Sequence, residues 1–449
     1  MKRFLVALIV LLAIGAAVAG YWVWERSQPK VVRGSPTIEF SQGQNPETRK
    51  PPRTTPISWP TYGFDLARTH LAPGFKLRPP FRRLWMHGIA GLVEFPPAVG
   101  YGRVYVAQLG GRFLALDSRT GRIVWQRRFA FCSAASPTLA RGVVYEPYQP
   151  RPCNYGPRNK PGFVAAMNAR TGHVLWRFRG PASESSTLLL GRTLYFGAWD
   201  HKVYALDVRT RRLRWTYTTD AEIDSSPAFQ AGLLYIGTNA GSVYALNVRT
   251  GKLRWRSRSF SQFLKGRQYF YATPTVAYGR VYIGNTDGTL YAYGARTGHL
   301  LWARPLGTYI YTAAAVWDRT VYVGTYDGKF FAVNAATGDV RWRYDAPGAI
   351  HGAPTVMDGL VYFSTCQHCG HNGSRHVKSG PPGTYALDAR TGRLVWRVRS
   401  GRYSPIVADG ERVYLTGGGG VSGLLPVRPA PHRSGASAVR KPRANRKRS

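Results

Sequence analysis

A short phrase recurs along this chain, and its period constrains the fold more than any other feature of the sequence. One copy reads Ala-Leu-Asp-Ser-Arg-Thr-Gly over residues 115–121 and is followed by a tryptophan four residues later. A period near 40 residues with several short strands per unit is typical of a β-propeller. Eight tryptophans mark the repeat, lie 39 to 54 residues apart and are predicted to hold equivalent structural positions: Trp85, Trp125, Trp176, Trp215, Trp255, Trp302, Trp342 and Trp396.

Residues 224–255 show how one repeat forms one four-stranded blade. Asn247 can accept bonds from backbone N–H groups two residues further on, and Gly251 can adopt the positive φ that such a turn needs. A buried indole on the fourth strand would fill the wedge between neighbouring sheets. Turns separate four short runs rich in β-forming residues: 225–229, 233–237, 243–246 and 253–255.

The number of blades depends on the two ends of the repeat region. Residues 81–85 read as an outer strand with no blade before it, and residues 404–425 read as three inner strands with no outer strand after them. Pairing these ends closes an eight-bladed ring and removes the exposed sheet edges of an open array. The sequence therefore predicts one eight-bladed propeller domain over residues 59–427.

The repeat Ala-x-Asp-x-x-Thr-Gly-x-x-x-Trp and the lead-in over residues 59–69 resemble those of pyrroloquinoline-quinone-like propellers. This family ranges from quinone-dependent dehydrogenases to non-catalytic scaffolds such as an outer-membrane-assembly lipoprotein. The resemblance implies that each tryptophan docks on the adjacent blade, but a shared repeat does not choose an activity. For a dehydrogenase it implies adjacent cysteines beside the quinone, with carboxylate and Asn ligands for calcium. This chain has no adjacent cysteines.

The two ends of the chain predict export and an extended, charged periphery. Residues 1–24 place an apolar run behind Lys2-Arg3, long enough for a transmembrane signal-anchor; the alternative is a cleaved signal peptide, since residues 17–19 form an A-x-A site. Either alternative makes the propeller extracytoplasmic. Residues 25–58 are predicted to be a Pro-rich linker in which 37–40 can dock on the propeller, and residues 428–449 a disordered basic tail.

The charge balance favours anionic partners. The chain has 62 Lys and Arg against 22 Asp and Glu, a formal net charge of +40. Such a positive field attracts lipid headgroups or acidic polymers. The alternative is that the positive charge has no binding role and that Arg simply occupies exposed turns. Nucleic acid is a disfavoured partner, because the aromatic residues sit at blade positions and the chain is predicted to be exported.

Three units are longer than the rest, and their extra residues are predicted to project from one face of the ring. These segments contain Lys or Arg and no acidic residue, so we expect a cationic face: 147–162, 256–270 and 365–383. Loops on a rigid scaffold are where function usually lies.

The four cysteines lie on or beside this face. Cys132 and Cys153 are predicted to form a disulfide that ties the first long loop to its own blade. For Cys366 and Cys369 two alternatives stay open, a small-loop disulfide or a zinc or copper site completed by two histidines further along the loop, His371 and His376.

First strands begin at the same face, next to the central channel. Four residues at or just before these starts are predicted to rim a ligand funnel: Glu94, Glu184, Asp224 and His351. The alternative is that neighbouring turns simply satisfy these polar groups.

These observations favour a non-catalytic, membrane-tethered, extracytoplasmic propeller without a cofactor that binds an envelope protein or an anionic ligand. Two alternatives remain: a dehydrogenase that uses pyrroloquinoline quinone with calcium, and a metal-binding module centred on the Cys366/Cys369 loop. The sequence contains no phosphate loop or metalloprotease motif that would indicate another enzyme class. It leaves the oligomeric state open.

Overall fold

The computed structural model describes residues 2–27, 30–41, 56–153, 160–260, 269–366, 380–404, 406–417 and 419–427. Across these ranges the chain forms one helix, α1 (Lys2–Ser27), and eight antiparallel sheets arranged as blades. In the described part of the chain, no helix is both long enough and apolar enough to cross a membrane.

The first four blades follow two separate strands, β1 (Ile57–Trp59) and β2 (Phe81–Gly88). Their strands run, four to a blade, as β3 (Ala98–Gly100), β4 (Arg103–Gln108), β5 (Arg112–Asp117), β6 (Ile123–Arg128); β7 (Thr138–Ala140), β8 (Val143–Tyr148), β9 (Pro161–Asn168), β10 (Val174–Pro181); β11 (Leu188–Leu190), β12 (Thr193–Gly197), β13 (Lys202–Asp207), β14 (Leu213–Thr218); and β15 (Ala228–Gln230), β16 (Leu233–Gly237), β17 (Ser242–Asn247), β18 (Leu253–Arg258).

The other four blades repeat this pattern, and the seventh gains the short strand β27. Their strands are β19 (Thr275–Ala277), β20 (Arg280–Gly284), β21 (Thr289–Gly294), β22 (Leu300–Pro305); β23 (Ala315–Trp317), β24 (Thr320–Gly324), β25 (Lys329–Asn334), β26 (Val340–Asp345); β27 (Ala349–Ile350), β28 (Thr355–Met357), β29 (Leu360–Cys366), β30 (Gly383–Asp388), β31 (Leu394–Val398); and β32 (Val407–Ala408), β33 (Val413–Gly417), β34 (Gly420–Pro426).

The eighth blade closes the ring by joining the two ends of the propeller. Strand β2 pairs antiparallel with β34, with Phe81 opposite Pro426 and Gly88 opposite Gly420. The sheet order is β2-β34-β33-β32, so the early strand supplies the outer edge that the last repeat lacks. The predicted eight-bladed ring and its mode of closure are therefore confirmed.

Each blade tryptophan lies between its own blade and the next one. The indole N–H of Trp85 donates to the carbonyl of Ser118 at 3.1 Å, and Trp125 donates to Ala169 at 3.0 Å. Gly121 lies in the turn beneath the Trp85 ring with φ 70°, and a Cβ there would overlap that ring. The same indole-to-carbonyl bond recurs for Trp215, Trp255, Trp302 and Trp342.

Two tryptophans depart from this pattern for local reasons. Trp176 packs on the third blade, whose turn carries Arg211 at φ 62° where the other turns have glycine. Trp396 faces the eighth blade, which has no covalent turn between its third and fourth strands. It packs instead edge-on against Phe81, with the ring centroids 5.3 Å apart.

Residues 56–72, which we call the central segment, fill the middle of the ring. Strand β1 within it pairs with β3, the inner strand of the first blade. Later carbonyls of the segment accept bonds from the inner strands of further blades in turn. These bonds run from Leu139 to Pro60, Phe229 to Leu66, Val276 to Ala67, Val316 to Thr69 and Val356 to His70, at 2.7 to 3.0 Å. The segment therefore joins six of the eight blades at the axis.

The side chain of Arg68 completes this junction. It is 0% exposed, and burial lowers its pKa to about 10, so it stays protonated at neutral pH. Its guanidinium donates to three carbonyls outside the central segment, those of Ser186, Thr187 and Pro227. Within the segment it donates to the carbonyl of Tyr62 and the hydroxyl of Thr61. Arg68 thus ties the third blade to the centre.

Part of the predicted linker lies on the propeller as well. Val32 bridges to Ala303 of β22, and the Phe40 ring stacks on Tyr278 with centroids 5.4 Å apart. Arg280 donates to the carbonyls of Ser35 and Ile38 and lies over the Phe40 ring. Residues 31–41 are therefore an outer strap across the fifth and sixth blades, and they do not behave as a free linker.

Candidate functional site

A cavity of about 40 Å³ lies at the axis, between the central segment and the links that join successive blades. The central segment supplies one side of it, with Trp59, Tyr62, Gly63 and His70. The links supply the other side, principally with Glu94, Phe95, Asp224, Tyr271, Tyr311 and His351. We call this space the axial cavity.

The structure brings the four predicted funnel residues together around the axial cavity. Glu94, Asp224 and His351 line it directly. Glu184 lies behind Tyr271, whose hydroxyl donates to Glu184 Oε2 at 2.9 Å. His351 Nε2 is 3.3 Å from Glu94 Oε1, so two of the four contact each other.

Neighbouring side chains satisfy part of this polar set. Asp224 accepts from the indole of Trp199 and the amide of Asn239, both at 2.6 Å. Gln149 donates to Glu184 Oε1 at 3.0 Å. These bonds fix the orientation of the two carboxylates. They agree with the alternative interpretation of the sequence, in which neighbouring groups satisfy these polar side chains.

Three buried polar atoms facing the cavity nevertheless have no hydrogen-bond partner among the described residues. They are Trp59 Nε1, His70 Nε2 and Glu94 Oε2. Trp59 and His70 are each 2% exposed, and a Cβ on Gly63 would lie 3.1 Å from His70 Nε2. Buried polar groups are almost always paired, so these atoms indicate a small polar guest or ordered water.

The electrostatics of the cavity are acidic. Burial first, and then the negative charges of Asp224 and Glu94, raise the pKa of Glu184 to about 8. Burial lowers the pKa of His70 to about 3, so its ring is neutral at pH 7. No Lys or Arg is among the residues that line the cavity. These acidic residues occupy blade links and lie outside the three long segments from which a cationic face was predicted.

A known protein family matches the chain over nearly the whole ring. The family model described as outer membrane protein assembly factor BamB matches residues 81–223, 199–308 and 287–426. The chain belongs to this family.

Individual members and neighbours support the same assignment. The chain is 28% identical over 149 residues to outer membrane protein assembly factor BamB of Legionella pneumophila (strain Paris), covering 30% of this chain and 35% of that protein. It is 35% identical over 81 residues to quinohemoprotein alcohol dehydrogenase ADH IIB of Pseudomonas putida, covering 17% of this chain and 11% of that enzyme. The chain thus spans about a third or less of these relatives.

The fold comparison reaches further along the chain. The crystal structure of BamB from Moraxella catarrhalis superimposes with a TM-score of 0.59 at 18% identity, covering 77% of this chain and all of that one. The predicted pyrroloquinoline-quinone-like propeller is thus confirmed as a fold, and the sequence relatives include both an assembly factor and alcohol dehydrogenases.

The residues at the axis do not fit pyrroloquinoline quinone, the cofactor that the family resemblance implies for a dehydrogenase. Sites for cofactors of that size usually measure about 300–1,000 Å³, and the axial cavity measures about 40 Å³. The quinone also carries three carboxylates, and no Lys or Arg lines the cavity to pair with them. The central segment occupies the remaining space.

The disulfide of the first long loop is confirmed. Cys132 and Cys153 are bonded, and Cys132 also pairs with Gln149 in a β-bridge. Cys366 is likewise in a disulfide, and a disulfide sulfur is not the thiolate that zinc prefers. Cys369, His371 and His376 lie outside the described residues. Among those that are described, no cluster of three metal-ligating side chains occurs.

Sequence reasoning missed the aromatic residues of the cavity. Tyr271 and Tyr311 occupy the same repeat position as Glu184, Asp224 and His351, since each lies four residues before the inner strand of its blade. That common position was the available signal. Nothing in the repeat indicates that Trp59, Tyr62 and His70 reach the axis, because the lead-in segment has no counterpart in the other units.

Proposed function

We propose that this protein is a non-catalytic, extracytoplasmic propeller that binds a protein partner in the cell envelope. The observation that carries the proposal is the closed centre of the ring. Backbone bonds from five inner strands, strand β1 and the buried Arg68 hold the central segment where a cofactor would need space. With the axis filled, the blade faces and links are left as binding surfaces.

The envelope location rests on family membership and on the N-terminal helix. The described side chains of α1, residues 9–25, are all exposed, and most of them are apolar. We propose that this apolar segment is the signal that directs export of the propeller. The relative in Legionella is named as an outer membrane protein assembly factor, so partners from envelope-protein assembly are the first to test. The net charge of +40 supports additional contact with anionic lipid or polymer.

A dye-linked assay separates this role from that of a quinoprotein. The full chain is incubated with pyrroloquinoline quinone and calcium, and reduction of an artificial electron acceptor is followed with primary alcohols and sugars. A known quinoprotein dehydrogenase treated identically is the positive control. We expect no reduction above the protein-free rate. Quinone-dependent turnover by this chain would overturn the proposal.

A crosslinking experiment in the source organism tests the partner. A photoreactive residue is placed at Asn239, in the loop after β16, and in a second strain at Arg249, in a turn on the opposite face. We expect a partner adduct that depends on one face only. Equal labelling of the same proteins from both positions, or none at either, would contradict a specific envelope partner.

A further inference from the structure

We propose that the axial cavity binds a cationic head group, either a primary ammonium or a guanidinium. This inference rests on the proposed binding role of the ring, and it names the chemistry that the centre recognises. It stands on four observations: unpaired acceptors, aromatic rings, the size of the cavity and its charge.

The acceptors come first. Glu94 Oε2 is buried and has no hydrogen-bond partner among the described residues, while its other oxygen contacts His351. His70 Nε2 is also unpaired, and a neutral imidazole nitrogen can accept a bond. An N–H donor that carries positive charge satisfies both atoms. The remaining orphan, Trp59 Nε1, is a donor and requires a water beside the cation.

Aromatic rings surround these acceptors. Tyr271 and Tyr311 make an edge contact with centroids 5.0 Å apart, and the lining residues Tyr62 and Phe95 make another at 5.9 Å. Cations are attracted to aromatic faces within about 6 Å of the centroid, and aromatic cages commonly recognise ammonium groups. Arg68 already lies 5.9 Å from the centroid of Tyr62, which shows that this ring accepts a cation on its buried side.

The size of the cavity limits the guest. One water needs about 10–15 Å³ on the same measure, so about 40 Å³ holds roughly three water-sized groups. An ammonium with one water fits this space, whereas a guanidinium fills it alone and leaves Trp59 Nε1 without a partner among the described residues. A quinone or a nucleotide does not.

The local charge selects a cation and excludes anions. Glu94 and Asp224 line the cavity and Glu184 stands behind Tyr271, whereas no Lys or Arg lines it. Three acidic residues at one axis are notable in a chain with only 22 Asp and Glu. A sulfate or a carboxylate ligand would meet repulsion from Glu94 and Asp224, and above about pH 8 from Glu184 as well.

This arrangement makes binding depend on pH. Burial and the charges of Asp224 and Glu94 raise the pKa of Glu184 to about 8, against the hydrogen bonds from Tyr271 and Gln149, which lower it; His351 lies beyond Glu94. A bound cation favours the ionised carboxylate, so binding releases a proton below that pH. Affinity therefore rises between pH 6.5 and 8.5.

Calorimetric titration of the full chain tests the assignment. Methylammonium and methylguanidinium chlorides are the small probes, and a short peptide with a single Arg is the second arm; sodium sulfate is the anionic control. We expect saturable binding of at least one head group, tighter at pH 8.5 than at pH 6.5, and no binding of sulfate. Tighter binding of the peptide assigns the source to a partner side chain, and tighter binding of the small probe assigns it to a free amine.

Matched variants make the result specific. Glu94→Gln removes the negative charge of the carboxylate whose Oε2 is unpaired and is expected to weaken binding at least tenfold. Glu222→Gln makes the same charge change in a blade link outside the cavity lining and should leave affinity within twofold. Absence of saturable binding by the folded chain, or equal weakening by both variants, overturns the inference. If the quinone assay is also negative, the proposed binding role survives without this ligand, whereas quinone turnover removes both.

Discussion

The buried guanidinium of Arg68 should contribute more to stability than any exposed arginine of the chain. It is 0% exposed and donates to the carbonyls of Tyr62, Ser186, Thr187 and Pro227. Replacing it with Met in Arg68→Met keeps much of the volume and removes every donor. Thr187 retains a second donor, so three carbonyls lose this bond.

The expected loss follows from these three carbonyls. Each buried acceptor left without its partner costs about 1–3 kcal/mol. Removing the buried charge returns part of that cost, since the folded protein no longer desolvates a guanidinium. We therefore expect Arg68→Met to lower the free energy of unfolding by about 3–5 kcal/mol, in the range for loss of a buried charged partner.

Urea unfolding followed by tryptophan fluorescence measures this loss. Arg249→Met is the matched control, because Arg249 is exposed in a turn and a surface change of this kind costs about 0.5 kcal/mol or less. Equal midpoints and slopes for Arg68→Met and Arg249→Met would refute the view that the central segment is held by this side chain.

Three further predictions concern the ring itself. Gly121→Ala should lower the free energy of unfolding by more than about 2 kcal/mol, because its Cβ would overlap the Trp85 ring. Gly102→Ala is the control: it has a similar φ of 69° but open space around it, and should cost only about 1 kcal/mol. Equal losses in thermal unfolding would contradict this packing. Glu184 keeps its proton to about pH 8 when folded but loses it near 4.5 when unfolded, so stability should fall as pH rises across that window, and Glu184→Gln should flatten the slope; an unchanged slope would count against the raised pKa. Cys153→Ser should lower the free energy of unfolding by about 2–4 kcal/mol under oxidising conditions, since the disulfide joins residues 21 apart in sequence. In reductant, where the wild-type disulfide is also open, the variant should cost little. An equal loss in reductant would show that packing alone accounts for the effect.

The sequence predicts the periodic part of this structure well. The tryptophan period, the Asx turns and the two incomplete ends give the eight blades and the pairing of β2 with β34, because each of these is a local pattern repeated many times. Arg211 shows the limit of such patterns. It replaces the turn glycine in the third blade and still adopts φ 62°, at the blade where the Trp176 indole makes its less regular contact.

The centre of the ring was less predictable, and the reason is physical. The central segment is held mainly by backbone carbonyls and one arginine, and backbone bonding leaves no side-chain signature in a single sequence. The four funnel residues were found because they are polar at strand starts. Their aromatic neighbours Tyr271 and Tyr311 were not, because tyrosine is common throughout the blades.

The central claim is that the axis of the ring is closed to a quinone and that the protein acts by binding. Equilibrium dialysis of the full chain against pyrroloquinoline quinone and calcium measures this most directly, as bound quinone per chain. The closed centre predicts no saturable binding up to high micromolar quinone, with the melting temperature unchanged. Saturation at one quinone per chain would show that the central segment yields to the cofactor and would contradict the account.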